Sequence, residues 1–267
     1  MLKCSHTAVY AESIVPNALR VKVLSITRIC KSKLFTTGYA TFDKKNRAFT
    51  LAEILITIGI IGVVAAITIP NLITNHQKKV TATRLKQTYA QIEQAVKLSI
   101  AENGEIGTWD LQRPPQESFD QYIRPYISII GQTKDTIMNQ QKIPYKTLNG
   151  IMAHLADQQY KGDFYTILNG IDLFLRKDFY NDENRNSIAI SIDLNGRTKR
   201  PNRLGKDWFI IYVHQTYGVY LYGAYINGKK ITDRNVLLGE CNKNNYGKYC
   251  GGLIQLDGWE IKKDYPW

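Results

Sequence analysis

Glu53 is the one charged side chain between Phe49 and Leu72, a run of 24 residues built otherwise from apolar and small side chains, three threonines, Pro70 and Asn71. A carboxylate at such a depth in a bilayer costs about 2.5–3.5 kcal/mol on insertion scales, so it calls for a partner. Three further sets of residues carry chemistry. Asp193, Asn195 and Asp207 supply oxygen ligands around a Gly/Pro-rich loop, the kind of donors calcium takes, although Asp and Asn at such spacing also build turns. Arg197, Lys199, Arg200, Arg203 and Lys206 crowd the same loop and suit phosphates, yet no aromatic residue is interleaved with them, so a solvated basic loop is expected and nucleic acid is not. Cys241 and Cys250 bracket the polar stretch NKNNYGKY. A disulfide there is worth about 2.5–3 kcal/mol in the loop-entropy model. A metal site would need further Cys or His nearby, and none is present. His6, His76, His154 and His214 are scattered, and neither G-x-S-x-G nor a P-loop occurs, so no enzyme is expected.

The elements that must position these groups fall into three parts. Residues 1–48 hold nine Lys/Arg against two Asp/Glu, a charge of +7 out of the whole chain's +12. A basic block directly before an apolar run reads as the cytoplasmic flank of a membrane span. The run itself is about 36 Å long as a helix, enough to cross a hydrocarbon core of about 30 Å. Its β-branched residues crowd every side and leave no polar stripe. Beyond it, Val80, Leu85, Tyr89, Ile92, Val96 and Ile100 recur at spacings of 5, 4, 3, 4 and 4 and form one apolar face, with Asn103-Gly104 as the stop. Pro70 should kink or locally melt the helix over residues 66–70, because proline removes a backbone donor and clashes with the preceding turn.

From residue 103 onward the elements are short and separated by turn residues. Arg113 to Ile130 reads as a proline-opened helix; Ser187 to Gly196, Asp207 to Val213 and Tyr217 to Ile231 read as strands, the last closed by Asn227-Gly228. The expected fold is α+β, a long N-terminal helix packed on a small antiparallel sheet of at least three strands, with the C-terminal GWEIKKDYPW folded back as core. The cysteines divide where the charge does, Cys4 and Cys30 before the span and Cys241 and Cys250 after it. If the first segment is cytoplasmic and removed, the remaining pair sits in an oxidising compartment as a disulfide.

Lys44, Lys45 and Arg47, then Ala48, then Phe49-Thr50-Leu51-Ala52-Glu53, an apolar helix and a proline at the twenty-second position counted from Phe49 together resemble the type IV pilin and type II secretion pseudopilin family. The resemblance covers residues 44 to about 102. It implies a leader of residues 1–48 removed by prepilin peptidase between Ala48 and Phe49, N-methylation of Phe49, a helix over 49–102 with its transmembrane part at 49–72, and a head over 103–267. It also implies that Glu53 pairs with the freed α-amine of Phe49, within one subunit or across to the next one entering a filament. Alanine stands where the family usually has glycine before the cut. The leader is long for this family, and no methionine lies between Met1 and Met138, so a start near Leu34 from another codon is expected, with a long leader as the alternative.

The partners so implied are prepilin peptidase, copies of the chain or other pilins and pseudopilins, an inner-membrane assembly platform, and the lipid bilayer. The implied location is the bacterial inner membrane, single-pass, with the head outside, followed by the filament. Some pseudopilins of this family hold calcium in a head loop, which keeps Asp193, Asn195 and Asp207 in view as ligands; no other cofactor is expected. Two other roles stay open at this level: a minor pilin that binds a surface, DNA or a secreted substrate, and a single-pass protein that is never polymerised.

Overall fold

The computed structural model describes residues 49–134, 145–152, 163–175 and 186–267. The leader, with Cys4, Cys30 and Ala48, lies outside the described residues, as do His6 and His154. The chain divides into two units, Met1–Thr57 and Ile58–Trp267. One helix, α1, runs from Leu51 to Asn103. Its helical assignment continues through Pro70, so the local melting expected there does not occur, although proline still offers no amide to the Ala66 carbonyl. Thr68 Oγ1 donates to the Val64 carbonyl and Thr74 Oγ1 to the Pro70 carbonyl, each at 2.9 Å, so hydroxyls in the apolar stretch are satisfied on their own helix. Gly104, at φ 81°, ends α1, with its amide on the Ile100 carbonyl at 3.0 Å.

In the unit Ile58–Trp267, six antiparallel strands form a sheet in sequential order: β1 (Ile129–Thr133), β2 (Phe164–Ile167), β3 (Ile171–Leu175), β4 (Ser187–Asp193), β5 (Trp208–His214) and β6 (Gly218–Leu221). Strands β4 to β6 are those expected from the sequence, and β1 to β3 add to them. A two-stranded hairpin follows, β7 (Tyr225–Ile226) and β8 (Lys229–Lys230), turned by Asn227 and Gly228, both at positive φ, as an Asn-Gly type I′ turn requires. The proline-opened helix is shorter than expected: α2 covers Pro115–Tyr122, with proline at its first position, where a missing donor costs nothing. Ile129 and Ile130 belong to β1 instead. The helices α3 (Arg234–Glu240) and α4 (Cys250–Leu256) complete the element order.

Period-2 alternation splits the sheet's side chains between two cores. Leu173, Ile190, Ile192, Phe209, Ile211 and Leu221 share one with Leu85, Ile92 and Val96 of α1 and with Phe119, Leu253, Ile261 and Tyr265. The C-terminal segment is therefore core, as expected. Phe174, Ala189, Trp208, Ile210 and Tyr212 face the other way and pack with Tyr145 and Leu204, which explains why every residue of β4 and β5 is buried. Small side chains on α1 (Ala82, Thr88, Ala95 and Ser99) are buried between the large ones and let the sheet approach closely. Tyr89 Oη donates to the Val219 carbonyl at 2.8 Å, and Arg84 Nη1 to the Leu194 carbonyl at 2.9 Å, fixing the helix to the edge strand β6 and to the end of β4.

Burying a side chain the size of Leu or Ile stabilises by about 1.5–3 kcal/mol, and truncation adds the cost of the cavity left behind. Ile92→Ala should therefore destabilise the head by about 2–5 kcal/mol, read from urea unfolding of the detergent-solubilised chain, whereas Ile67→Ala, on the fully exposed apolar stretch, should leave the midpoint unchanged.

Candidate functional site

The start of α1 is built by two side chains. Thr50 donates both its backbone amide, at 2.8 Å, and its hydroxyl, at 2.9 Å, to Glu53 Oε2, while the Glu53 amide donates to Thr50 Oγ1 at 3.2 Å. This reciprocal arrangement is a capping box: a Thr-x-x-Glu spacing in which each residue satisfies a backbone donor that the first helical turn leaves free. The carboxylate also sits at the positive end of the helix dipole. Thr50 is the functional residue the sequence reading missed, and its spacing from Glu53 was the signal. Phe49 precedes it and is exposed. Glu53 thus has partners within its own helix start, and these hold its carboxylate at the end of the helix nearest Phe49.

The next stretch of α1 is exposed along its length. Among the described residues α1 is the one helix long and apolar enough to cross a membrane, and none of its apolar window is buried. Thr57 Oγ1 donates to the Ile54 carbonyl at 2.9 Å, and Asn71 Nδ2 to the Ile67 carbonyl at 3.4 Å, so its polar side chains turn inward onto the helix. Such satisfaction is what a bilayer demands, since hydrocarbon supplies no hydrogen-bond partners.

The loop between β4 and β5 brings Asp193, Asn195 and Asp207 together. Asp193 is fully buried; its Oδ2 accepts from the Tyr145 hydroxyl at 2.6 Å and its Oδ1 from the Asn195 amide at 3.2 Å. Asp207 Oδ2 accepts from the Asn202 amide at 2.8 Å and Oδ1 from the Arg203 amide at 2.6 Å. Both carboxylates thus act as turn formers here. Burial pushes the Asp193 carboxyl up to about 7, against the Tyr145 hydrogen bond, and the neighbouring Asp207 and Asp172 push it the same way as burial. Burial raises Asp207 too, opposed by the amides of Arg203 and Asn202. Among the described residues no three His, Cys, Asp or Glu side chains are grouped to share a metal ion.

The five basic residues of that loop do not form one cluster. Arg197 turns inward: its Nη1 meets Asp172 Oδ2 at 3.0 Å, its Nη2 donates to Thr133 Oγ1 at 2.6 Å, and its guanidinium lies 5.7 Å from the Phe164 ring centre. It ties the loop to the sheet and is withdrawn from any binding role. Lys199 and Arg200 are exposed, Arg203 is half-buried, and Lys206 Nζ lies 5.8 Å from the Trp267 ring centre.

Cys241 and Cys250 are bonded as expected, joining the end of α3 to the start of α4 with both residues fully buried. Gly205, at φ 82°, lies against this pair: a Cβ there would stand 3.0 Å from Cys250 Sγ. Of the tyrosines in the bridged loop, Tyr246 is exposed with Lys248 Nζ 5.8 Å from its ring centre, and Tyr249 is half-buried with its ring edge-on to Tyr222 at 5.0 Å.

Comparison with known proteins separates the chain in the same way. Residues 43–69 match the prokaryotic N-terminal methylation motif, which bears out the resemblance drawn from the basic residues, Ala48 and Phe49 to Glu53. Residues 71–267 match a family described as of unknown function, DUF6613. Over 66 residues the chain is 39% identical to the prepilin peptidase-dependent protein D of Escherichia coli (strain K12), a match covering 25% of this chain and 44% of that protein. The matched region thus spans less than half the length of that curated relative. No solved structure matches.

The raised Asp193 carboxyl fixes a pH dependence. Its folded pKa lies above the unfolded value, so the folded state holds more protons between the two, and stability falls as pH rises from about 4 to about 7. The fall is at most about 4 kcal/mol at 1.36 kcal/mol per unit. Asp193→Asn, which keeps an acceptor for Tyr145 but cannot ionise, should flatten that slope; urea midpoints of both proteins at pH 5 and pH 8 measure it.

Proposed function

We propose that this chain, which belongs to the DUF6613 family of unknown function, is cut between Ala48 and Phe49 by a prepilin peptidase, methylated on the new Phe49 amine, and assembled through α1 into a type IV pilus or a type II secretion pseudopilus. The observation that carries this reading is the register of the methylation motif on the helix. Phe49 stands exposed immediately before a capped helix start, and the apolar stretch behind it is covered by no part of its own unit. The name of the Escherichia coli relative, a protein dependent on prepilin peptidase, points the same way. In this reading the leader lies in the cytoplasm and the head outside a bacterial inner membrane, which the leader's excess of basic residues supports. Assembly partners are other pilin-like subunits and an inner-membrane platform, and the chain's role is structural.

Glu53 then serves two partners in turn. Before cleavage it is the second half of the capping box. Cleavage creates a positive amine at Phe49, one residue from Thr50, at the end of the helix where the carboxylate already sits. In a water-poor helical bundle the attraction between amine and carboxylate is stronger than in water, and pairing across subunits favours one axial register over its neighbours.

Mass analysis of the mature N-terminus from the native host should find methyl-Phe49; an intact leader would remove the reading. Glu53→Ala should abolish filament formation while membrane insertion persists, as judged by fractionation and electron microscopy, and normal filaments from this variant would refute the register mechanism. Thr50→Val, which removes the cap but leaves the carboxylate, should weaken the helix start by about 1 kcal/mol and impair assembly less than Glu53→Ala does.

A further inference from the structure

Where α1 leaves its apolar stretch, a groove of about 360 Å³ lies between the helix and the β4–β5 loop. His76 and Arg84 of α1 line it on one side, and Asn195, Arg200, Lys206 and Trp267 on the other. The cations here are not neutralised. Among the described residues, no carboxylate comes within ion-pair distance of Arg84, Arg200 or Lys206, whereas Arg197 of the same loop is paired with Asp172. Asp207, the acid in the groove wall, is buried and has both carboxylate oxygens on backbone amides. Burial lowers the Lys206 pKa, and the nearby Arg203 and Lys243 lower it further, while Asp207 opposes them. The walls are held in place: Arg84 Nη1 bonds the Leu194 carbonyl, Asn195 Nδ2 bonds the Arg200 carbonyl at 3.2 Å, and Lys206 rests near the Trp267 ring. Asn195 Oδ1 is buried with no hydrogen-bond partner.

The position of the groove decides what it takes. His76 follows Leu72, the last residue of the apolar run, by four residues, about 6 Å along a helix, and Arg84 by about 18 Å. A headgroup layer is roughly 5–8 Å deep on each side of the hydrocarbon core, so the near end of the groove opens at the level of lipid phosphates. Lys79, exposed on the same turns, adds to the field. Basic groups within a Debye length of an anionic leaflet are drawn to it, and Arg and Lys bind phosphate through charge-assisted hydrogen bonds. We propose that the groove between His76 and Arg84 of α1 and Arg200 and Lys206 of the β4–β5 loop docks the phosphate of an anionic phospholipid headgroup, seating the head on the leaflet from which α1 emerges. This rests on α1 being a membrane anchor.

The test uses the full chain in nanodiscs of phosphatidylcholine alone or mixed with phosphatidylglycerol. Hydrogen exchange of the amides from Lys199 to Lys206 should slow several-fold in the mixed discs. Arg200→Gln together with Lys206→Gln should lose that slowing, and Lys206→Arg should keep it. Equal exchange in both discs, or protection that survives the double substitution, would overturn the proposal. So would equal protection by inorganic phosphate in phosphatidylcholine discs, since the site would then take free phosphate. Flotation with neutral liposomes separates the two readings: a chain that floats but shows no lipid-dependent protection overturns the groove alone, and a chain that does not float overturns the anchor and the groove together.

Discussion

A helix that is apolar on every side cannot rest in water, and α1 is such a helix over its first half. The cost scales with exposed apolar area, at roughly 25 cal/mol per Å², so a run of more than twenty exposed apolar and small residues demands a cover that its own unit does not supply. Lipid meets that demand, and so does a bundle of like helices. The second half of α1 answers the same constraint within the chain by giving one face, Leu85, Ile92 and Val96, to the sheet. The helix therefore belongs to two environments. What allows this is a change of side-chain pattern along one helix that continues through Pro70.

Against this background the polar groups fall into order. A carboxylate in such a helix is tolerable where the backbone itself has unmet donors, and those occur only in the first turn. Glu53 stands at that turn, three residues after Thr50. One or two turns later the same carboxylate would have faced hydrocarbon with every amide near it already bonded. The threonines and Asn71 further along solve the problem from the opposite side by returning their protons to carbonyls of the same helix.

Much of this was legible in the sequence because it is local. The amphipathic face, the Asn103-Gly104 stop, the Asn227-Gly228 turn and the strands β4 and β5 are carried by periodicity and by residues that only certain backbone conformations admit. The Thr50-x-x-Glu53 box was equally readable, and so was the β2–β3 hairpin, whose FYTILNGIDLFL places Asn169 and Gly170 at positive φ between two apolar runs. Strand β1 gave little to read: it is five residues long, partly exposed, and at the sheet's edge. Nor could the inward turn of Arg197 be read, since its partner Asp172 lies 25 residues away and meets it only once β3 and β4 are paired. The raised pKa of Asp193 is illegible for the same reason, being a property of burial and of two acids from other strands or turns.

The buried cystine has a consequence for chemical durability. Neither sulfur is exposed; Gly205 lies against Cys250, and the Tyr265 hydroxyl donates to the Gly205 carbonyl. Thiol exchange requires a nucleophile to approach a sulfur along the S–S axis, so a reductant meets this bond only after the core around it has opened. The crosslink and the core around it protect one another: the bond joins the end of α3 to the start of α4, and the packed side chains of that core keep solvent thiols out. The head thus carries its covalent tie behind a door that opens only when the fold itself does.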